Sequence, residues 1–265
     1  MQHVMGYKSA LILWFVTIFM LLGCTPVPSH STAQDGVDID TEGLEVNISE
    51  NSESSANVSR QHRRTVKMSK DASVVVWGSV GGRRVVSGTG TYFEHKGYHI
   101  VITAYHVYDD PRIEGALVQS QSGEMVAGTI IYSNADRDIC VLLVPQMRTV
   151  DAARLNPIRP SQADEGLSVL YTGFPGHHSY NEPLTFNGTL AGISDSSGFI
   201  IMQSYAWMGS SGSGVFDTRG RYVGVLVAID VERGIYGPQL QENVVYVSPI
   251  WAVGVEEIEG ILEGR

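Results

Sequence analysis

Beyond Thr65 the chain is cut into short runs rich in Val, Ile, Tyr and Thr, separated by clusters of Gly, Asp, Asn and Pro, and this punctuation restricts the fold more than any other feature. β-Branched and aromatic side chains suit a pleated, half-buried surface, whereas Gly, Asn, Asp and Pro supply the backbone angles that reverse a chain. The spacing predicts strands over Ser73–Val80, Arg84–Phe93, His99–Thr103, Ala116–Gln119, Met125–Tyr132 and Ile139–Val144. A second set follows over Ser168–Gly173, Leu184–Ile193, Phe199–Ser204, Gly214–Phe216, Tyr222–Ile229 and Val244–Ser248. The stretch from Pro145 to Gln162 between them has no strong apolar run. Only Pro249–Gly264 spaces apolar residues (Ile250, Val253, Ile258, Ile261, Leu262) at helical intervals, so a terminal helix is expected over about 249–264. Two sets of about six strands without long helices between them exclude a parallel α/β sheet, leaving an all-β class. Periodicity alone does not separate two barrels from one sandwich.

The N-terminus carries an address. Residues Ala10 to Leu22 read ALILWFVTIFMLL behind Lys8, the pattern of a secretory signal over residues 1–23. The run is shorter than the roughly 20 residues that span a bilayer as a helix, so an uncleaved anchor is the less favoured alternative. The closing Leu21-Leu22-Gly23-Cys24 resembles the lipobox of bacterial lipoproteins. That resemblance implies acylation of Cys24 and an exported protein held on a membrane surface, the outer membrane in a Gram-negative cell. Residues 24–65 are rich in Ser, Thr, Asn, Asp and Glu and nearly lack aromatic residues, the composition of a flexible linker. The folded domain is expected over 66–265.

A net charge of −10 argues against a nucleic-acid partner, since phosphate binding needs clustered Lys and Arg. Two cysteines, one of them in the lipobox, leave no disulfide framework; Cys140 reads as a small buried hydrophobe. No cofactor fingerprint is present. His177 and His178 lack further ligands at suitable spacing, so no metal site is expected.

Three segments carry chemistry in the order His, Asp, Ser. In Ile102-Thr103-Ala104-Tyr105-His106-Val107 an apolar strand ends in small residues and presents an imidazole. In Asn134-Ala135-Asp136-Arg137-Asp138-Ile139 a polar turn enters an apolar strand with Asp138 at the junction; Asp136 is the competing carboxylate. In Gly209-Ser210-Ser211-Gly212-Ser213-Gly214 glycines let the backbone turn sharply and aim successive N–H groups into one concavity. Acyl transfer needs these parts: an alcohol, a base to take its proton, a carboxylate to orient the base, and donors for an oxyanion. Ser211 is the expected nucleophile, Ser213 the competing hydroxyl, and the amides of Gly209 and Ser211 the expected oxyanion donors.

These segments resemble the trypsin-like serine proteases, closest in texture to the bacterial high-temperature-requirement and glutamyl-endopeptidase branches. Ser87-Gly88-Thr89-Gly90-Thr91 and Ile102–Val107 are similar to the oxyanion-side strand and the histidine motif. Asp138-Ile139-Cys140-Val141-Leu142 is similar to the aspartate motif, Tyr171–Gly176 to a turn of the second barrel, Gly209–Gly214 to the serine motif, and Val245–Pro249 to a segment near the end. The resemblance implies two six-stranded antiparallel β-barrels, the first over about 66–145 and the second over about 163–248, with the terminal helix after them. It implies a serine endopeptidase with catalytic His106, Asp138 and Ser211 and a protein or peptide substrate. By the same resemblance Tyr205, Ala206, Leu226, Val227, Ala228 and Val244 line the substrate pocket, and Leu226–Ala228 holds the substrate as an added strand. None of these carries a charge, so cleavage after small or medium apolar residues is expected. A silent peptide-binding module and an esterase are the alternatives. Ser210 stands where the family often has Asp or Asn, which removes the partner for an activating ion pair.

Overall fold

The computed structural model describes residues 49–177, 182–234, 237–252 and 255–264. The signal and Cys24 lie outside the described residues, as does His178. The first set of runs forms β1 (Ser73–Val80), β2 (Arg83–His95), β3 (Tyr98–Thr103), β4 (Gly115–Gln119), β5 (Met125–Asn134) and β6 (Ile139–Leu143). Their order is β1-β4-β5-β6-β3-β2, and β2 returns onto β1, so the sheet closes on itself. The second set forms β8 (Ser168–Gly173), β9 (Leu184–Ile193), β10 (Ile200–Gln203), β11 (Gly214–Asp217), β12 (Tyr222–Gly234) and β13 (Gly237–Pro249), a closed barrel in the order β10-β13-β12-β11-β8-β9. Closure pairs most of the strand edges within each barrel, which limits unwanted pairing. A short β7 (Ala153–Arg154) adds in parallel to β2 within the connecting segment.

Each barrel is filled by its own inward-facing residues. Val74, Val76, Tyr92, Ile100, Ile102, Val118 and Val141 are fully buried in the first, and Val169, Tyr171, Ile200, Met202, Val215 and Val247 in the second. A fully buried aliphatic side chain contributes about 1.5–3 kcal/mol, so either wall tolerates few truncations. The barrels join through rings. Phe93 of β2 meets Tyr222 of β12 edge-on at 4.9 Å, and Tyr222 lies 5.2 Å from Phe216 of β11. The connecting segment adds backbone ties, with Ile158 N–H donating to Tyr222 O at 2.8 Å and Tyr222 N–H to Asn156 O at 2.7 Å.

Two helices frame the barrels, and one of them departs from expectation. The segment read as a linker through residue 65 contains the start of α1 (Ser49–Asp71). Its composition is too polar to suggest a buried face, and its order comes from tertiary contacts. Thr65 and Ser69 are buried, Thr65 Oγ1 donates to Thr218 O at 3.1 Å, and Gln61 Nε2 donates to Arg219 O at 3.3 Å. Packing of this kind supplies most helical stability in proteins. The terminal helix α2 (Val255–Glu263) starts later than its apolar spacing implied, because β13 runs to Pro249 and a 3-10 turn occupies Ile250–Ala252. Ile258 and Leu262 of α2 are buried, while Glu259 meets His95 at 2.8 Å and Lys96 at 2.9 Å beyond the end of β2.

Candidate active site

The histidine half is built inside the first barrel. β3 ends at Thr103, Ala104 stays extended (φ −78°, ψ 140°), and a 3-10 turn over Tyr105–Val107 lifts His106 to the rim while Val107 remains buried beneath it. Asp138 sits one residue before β6 with φ +50°, a left-handed conformation that costs a β-carbon residue about 1–3 kcal/mol. Contacts with the histidine turn offset that strain. Tyr105 N–H donates to Asp138 O at 3.2 Å, His106 N–H donates to Asp138 Oδ1 at 2.8 Å, and His106 Nδ1 lies 2.7 Å from Asp138 Oδ2. Both carboxylate oxygens are thus committed to one residue. A carboxylate oxygen only accepts, so His106 Nδ1 donates in this bond, and Nε2 is left free of Asp138. Asp136, the competing carboxylate, is exposed on the turn.

The serine half is a glycine-rich loop entering β11. Gly209 and Gly212 have φ of +92° and +90°, so the chain reverses on both sides of Ser210 and Ser211. Most amides of the loop have named acceptors. Ser210 N–H donates to Trp207 O at 3.0 Å, Gly212 N–H to Leu226 O at 2.7 Å, and Ser213 N–H to Ser210 O at 3.0 Å. The amides of Gly209 and Ser211 have no acceptor among the described residues. Two unpaired donors beside a partly exposed Ser211 hydroxyl form a receptor for developing negative charge. Ser213 is fully buried against Gly173, which removes it from contact with a substrate.

The two halves converge on β2. A β-carbon at Gly88 would fall 2.8 Å from Val107 Cγ2 and 2.9 Å from Ser211 O, so the residue after His106 and the candidate nucleophile share one glycine-sized gap. Gly212 in turn faces Thr103 and Ala104, with Ala104 N 3.1 Å from where its β-carbon would be.

The expected pocket residues divide. Ala206, Leu226 and Val227 are buried in the cores, while Tyr205 and Ala228 are exposed and Val244 is half-buried. The side chains of those first three are wall packing in this structure and offer little surface for a substrate to touch. Trp207 and Met208, which the motif reading passed over, stand 40% and 71% exposed immediately before Gly209. Trp207 packs on Phe186 with ring centroids 5.4 Å apart. A signal for them existed in the apolar run Tyr205–Met208, which continues neither a strand nor a helix. β11 begins at Gly214 opposite Val225, so beyond Leu226 that side of β12 has no strand partner among the described residues. A cavity of about 570 Å³ lies elsewhere, between His62 of α1 and Asn187, Gln203 and Asn243; it reaches Tyr205 but includes none of His106, Asp138 and Ser211. Burial, aided by the Asp138 charge, pushes the Cys140 thiol up to about 12, which keeps it protonated and unreactive at neutral pH.

Residues 88–225, just over half of the chain, match the model of the trypsin-like peptidase domain. The chain therefore belongs to that family, the trypsin-like serine endopeptidases. A solved serine endoprotease from Yersinia pestis has the same fold, with a TM-score of 0.59 and 20% sequence identity over 77% of this chain and 68% of that one. No curated protein matches the chain.

Proposed function

We propose that the protein is a membrane-tethered serine endopeptidase in which His106, Asp138 and Ser211 form the catalytic triad. The observation that carries this reading is the two-point grip of Asp138 on His106, set across the Gly88 gap from a serine loop with two unpaired amides. Ser211 Oγ attacks the scissile carbonyl while His106 Nε2 removes its proton, and the carbonyl electrons move onto an oxygen that accepts from Gly209 and Ser211 N–H. Collapse of that intermediate breaks the C–N bond, and the imidazolium returns its proton to the departing amine. Water then attacks the acyl ester with the same base, releasing the acid and restoring Ser211. Asp138 holds the ring in the required tautomer and stabilises its charge without accepting the proton.

Beyond Leu226, whose N–H and C=O are taken by Ser213 and Gly212, the open side of β12 at Val227 and Ala228 supports binding of the substrate as an added strand, with Leu226 at its start. Tyr205 and Val244, which keep surface available and carry no charge themselves, support cleavage after small or medium apolar residues, because a charged side chain would be desolvated there without a partner. The lipobox-like Leu21–Cys24 supports acylation of Cys24 and display on a bacterial membrane. A fluorophosphonate probe is expected to label the wild type and not Ser211→Ala, with kcat on a peptide falling about 10⁶-fold in the variant. Undiminished labelling of Ser211→Ala would refute the assignment.

A further inference from the structure

We infer that Thr89 is the positioning residue of the oxyanion loop, a clamp from the first barrel that fixes the peptide plane before Ser210 and the one after Ser211. Thr89 lies on β2 and is fully buried. Each of its polar groups is in use. Its N–H donates to Ser211 O at 2.8 Å, and its Oγ1 donates to Gly209 O at 2.8 Å while accepting from Phe174 N–H at 3.0 Å. Its carbonyl accepts from Thr103 Oγ1 at 2.7 Å, three residues before His106. One residue thereby ties the serine loop to the strand that presents the base.

Peptide planarity explains why these contacts bear on the reaction. A carbonyl held in one direction sends the N–H of the same plane the opposite way. The planes carrying the Gly209 and Ser211 amides are held by Met208 O, which accepts from Gly176 N–H at 2.7 Å, and by Ser210 O, which accepts from Ser213 N–H at 3.0 Å. The next plane after each is held by Thr89, through Oγ1 at Gly209 O and through N–H at Ser211 O. Gly209 at φ +92° has no side chain to hinder rotation, so loss of the hydroxyl leaves the planes on its two sides to the bonds of Gly176 N–H with Met208 O and of Ser210 N–H with Trp207 O, and loosens the direction of the Gly209 amide. An ion pair behind the loop is not available for this purpose, because Ser210 is uncharged and fully buried.

The fit around Thr89 is close. A β-carbon at Gly173 would lie 2.9 Å from Thr89 Oγ1, and one at Gly212 would clash with Thr89 O. Within this close fit the hydroxyl is directed at Gly209.

The inference rests on the proposed roles of Gly209 and Ser211, and its test separates the two. Thr89→Val removes the hydroxyl at constant shape and Thr89→Ser keeps it. Thr89→Val is expected to lower kcat on a peptide about 10- to 100-fold with KM within about threefold, less than deletion of an oxyanion donor itself. Affinity for a peptide boronate, which places an anionic oxygen in the same groove, should fall in parallel, and Thr89→Ser should recover most of both. If Thr89→Val does not fold, Thr89→Ala, which adds no methyl against Gly173, carries the same expectation. Wild-type kcat in the hydroxyl-free variants, or lowered kcat with unchanged boronate affinity, would overturn the role of Thr89 while fluorophosphonate labelling of the wild type stays intact. Loss of that labelling would instead refute the reading of Ser211.

Discussion

The two halves of the candidate site are held by different means. His106 and Asp138 are bound within one barrel by a carboxylate that grips a backbone amide and a ring nitrogen of the same residue. The Ser211 loop is held largely from outside itself, by Thr89 of the other barrel, by Gly176 after β8, and by Leu226 of β12. A side-chain grip tolerates small movements of the surroundings. A loop held through its carbonyls depends on how the barrels dock. One half of the chemistry is therefore local and the other is a property of the interface.

The strongest way to break this contrast is Asp138→Asn. An amide of the same size still fills the site but no longer fixes the ring proton on Nδ1, so kcat should fall about 10⁴-fold while Tm changes by only a few degrees. Peptide kinetics beside calorimetry would check both numbers, and a large Tm loss would show that the grip is structural first. Gly212→Ala attacks the interface half. At φ +90°, with the β-carbon driven into Thr89 O and Thr103 Oγ1, the substitution should cost about 3 kcal/mol or more in urea unfolding, with activity lost alongside stability. Near wild-type stability would mean that the loop yields more easily than its contacts imply.

Glu259→Gln is the smallest perturbation and lies far from both halves. Lys96 and then His95 hold the Glu259 carboxyl below its ordinary value of 4.5. A lowered folded-state value contributes stability that is present above 4.5 and is lost as pH falls through the folded value. The variant should therefore show a slightly lower Tm than wild type at pH 7, a gap that closes in acid, and unchanged kcat. Tm measured against pH would test the sign.

Much of the architecture was legible because the chain announces its strand ends. Ser168–Gly173 and Leu184–Ile193 form over the residues their punctuation indicated, each bounded by a Gly, Pro or Ser that reverses the chain. α1 was not legible, since it is held by Thr218 and Arg219, far off in sequence, and by core contacts of Val66 and Met68, too few apolar residues to show a helical period in so polar a segment. β7 is two residues long and has no periodicity to detect. The triad segments could be read because their chemistry demands particular residue types at strand ends. The exposure of Trp207 and Met208 and the direction of the Thr89 hydroxyl could not, because both are decided by partners in other strands.

The path of α1 has a mechanical consequence. The helix passes through Ala72 directly into β1, where Ala72 O accepts from Tyr92 N–H, and Thr65 and Gln61 fasten its flank to the β11–β12 turn. A pull applied at the N-terminal end of α1 would thus be shared by both barrels, loading them in parallel where a single attachment would prise them apart.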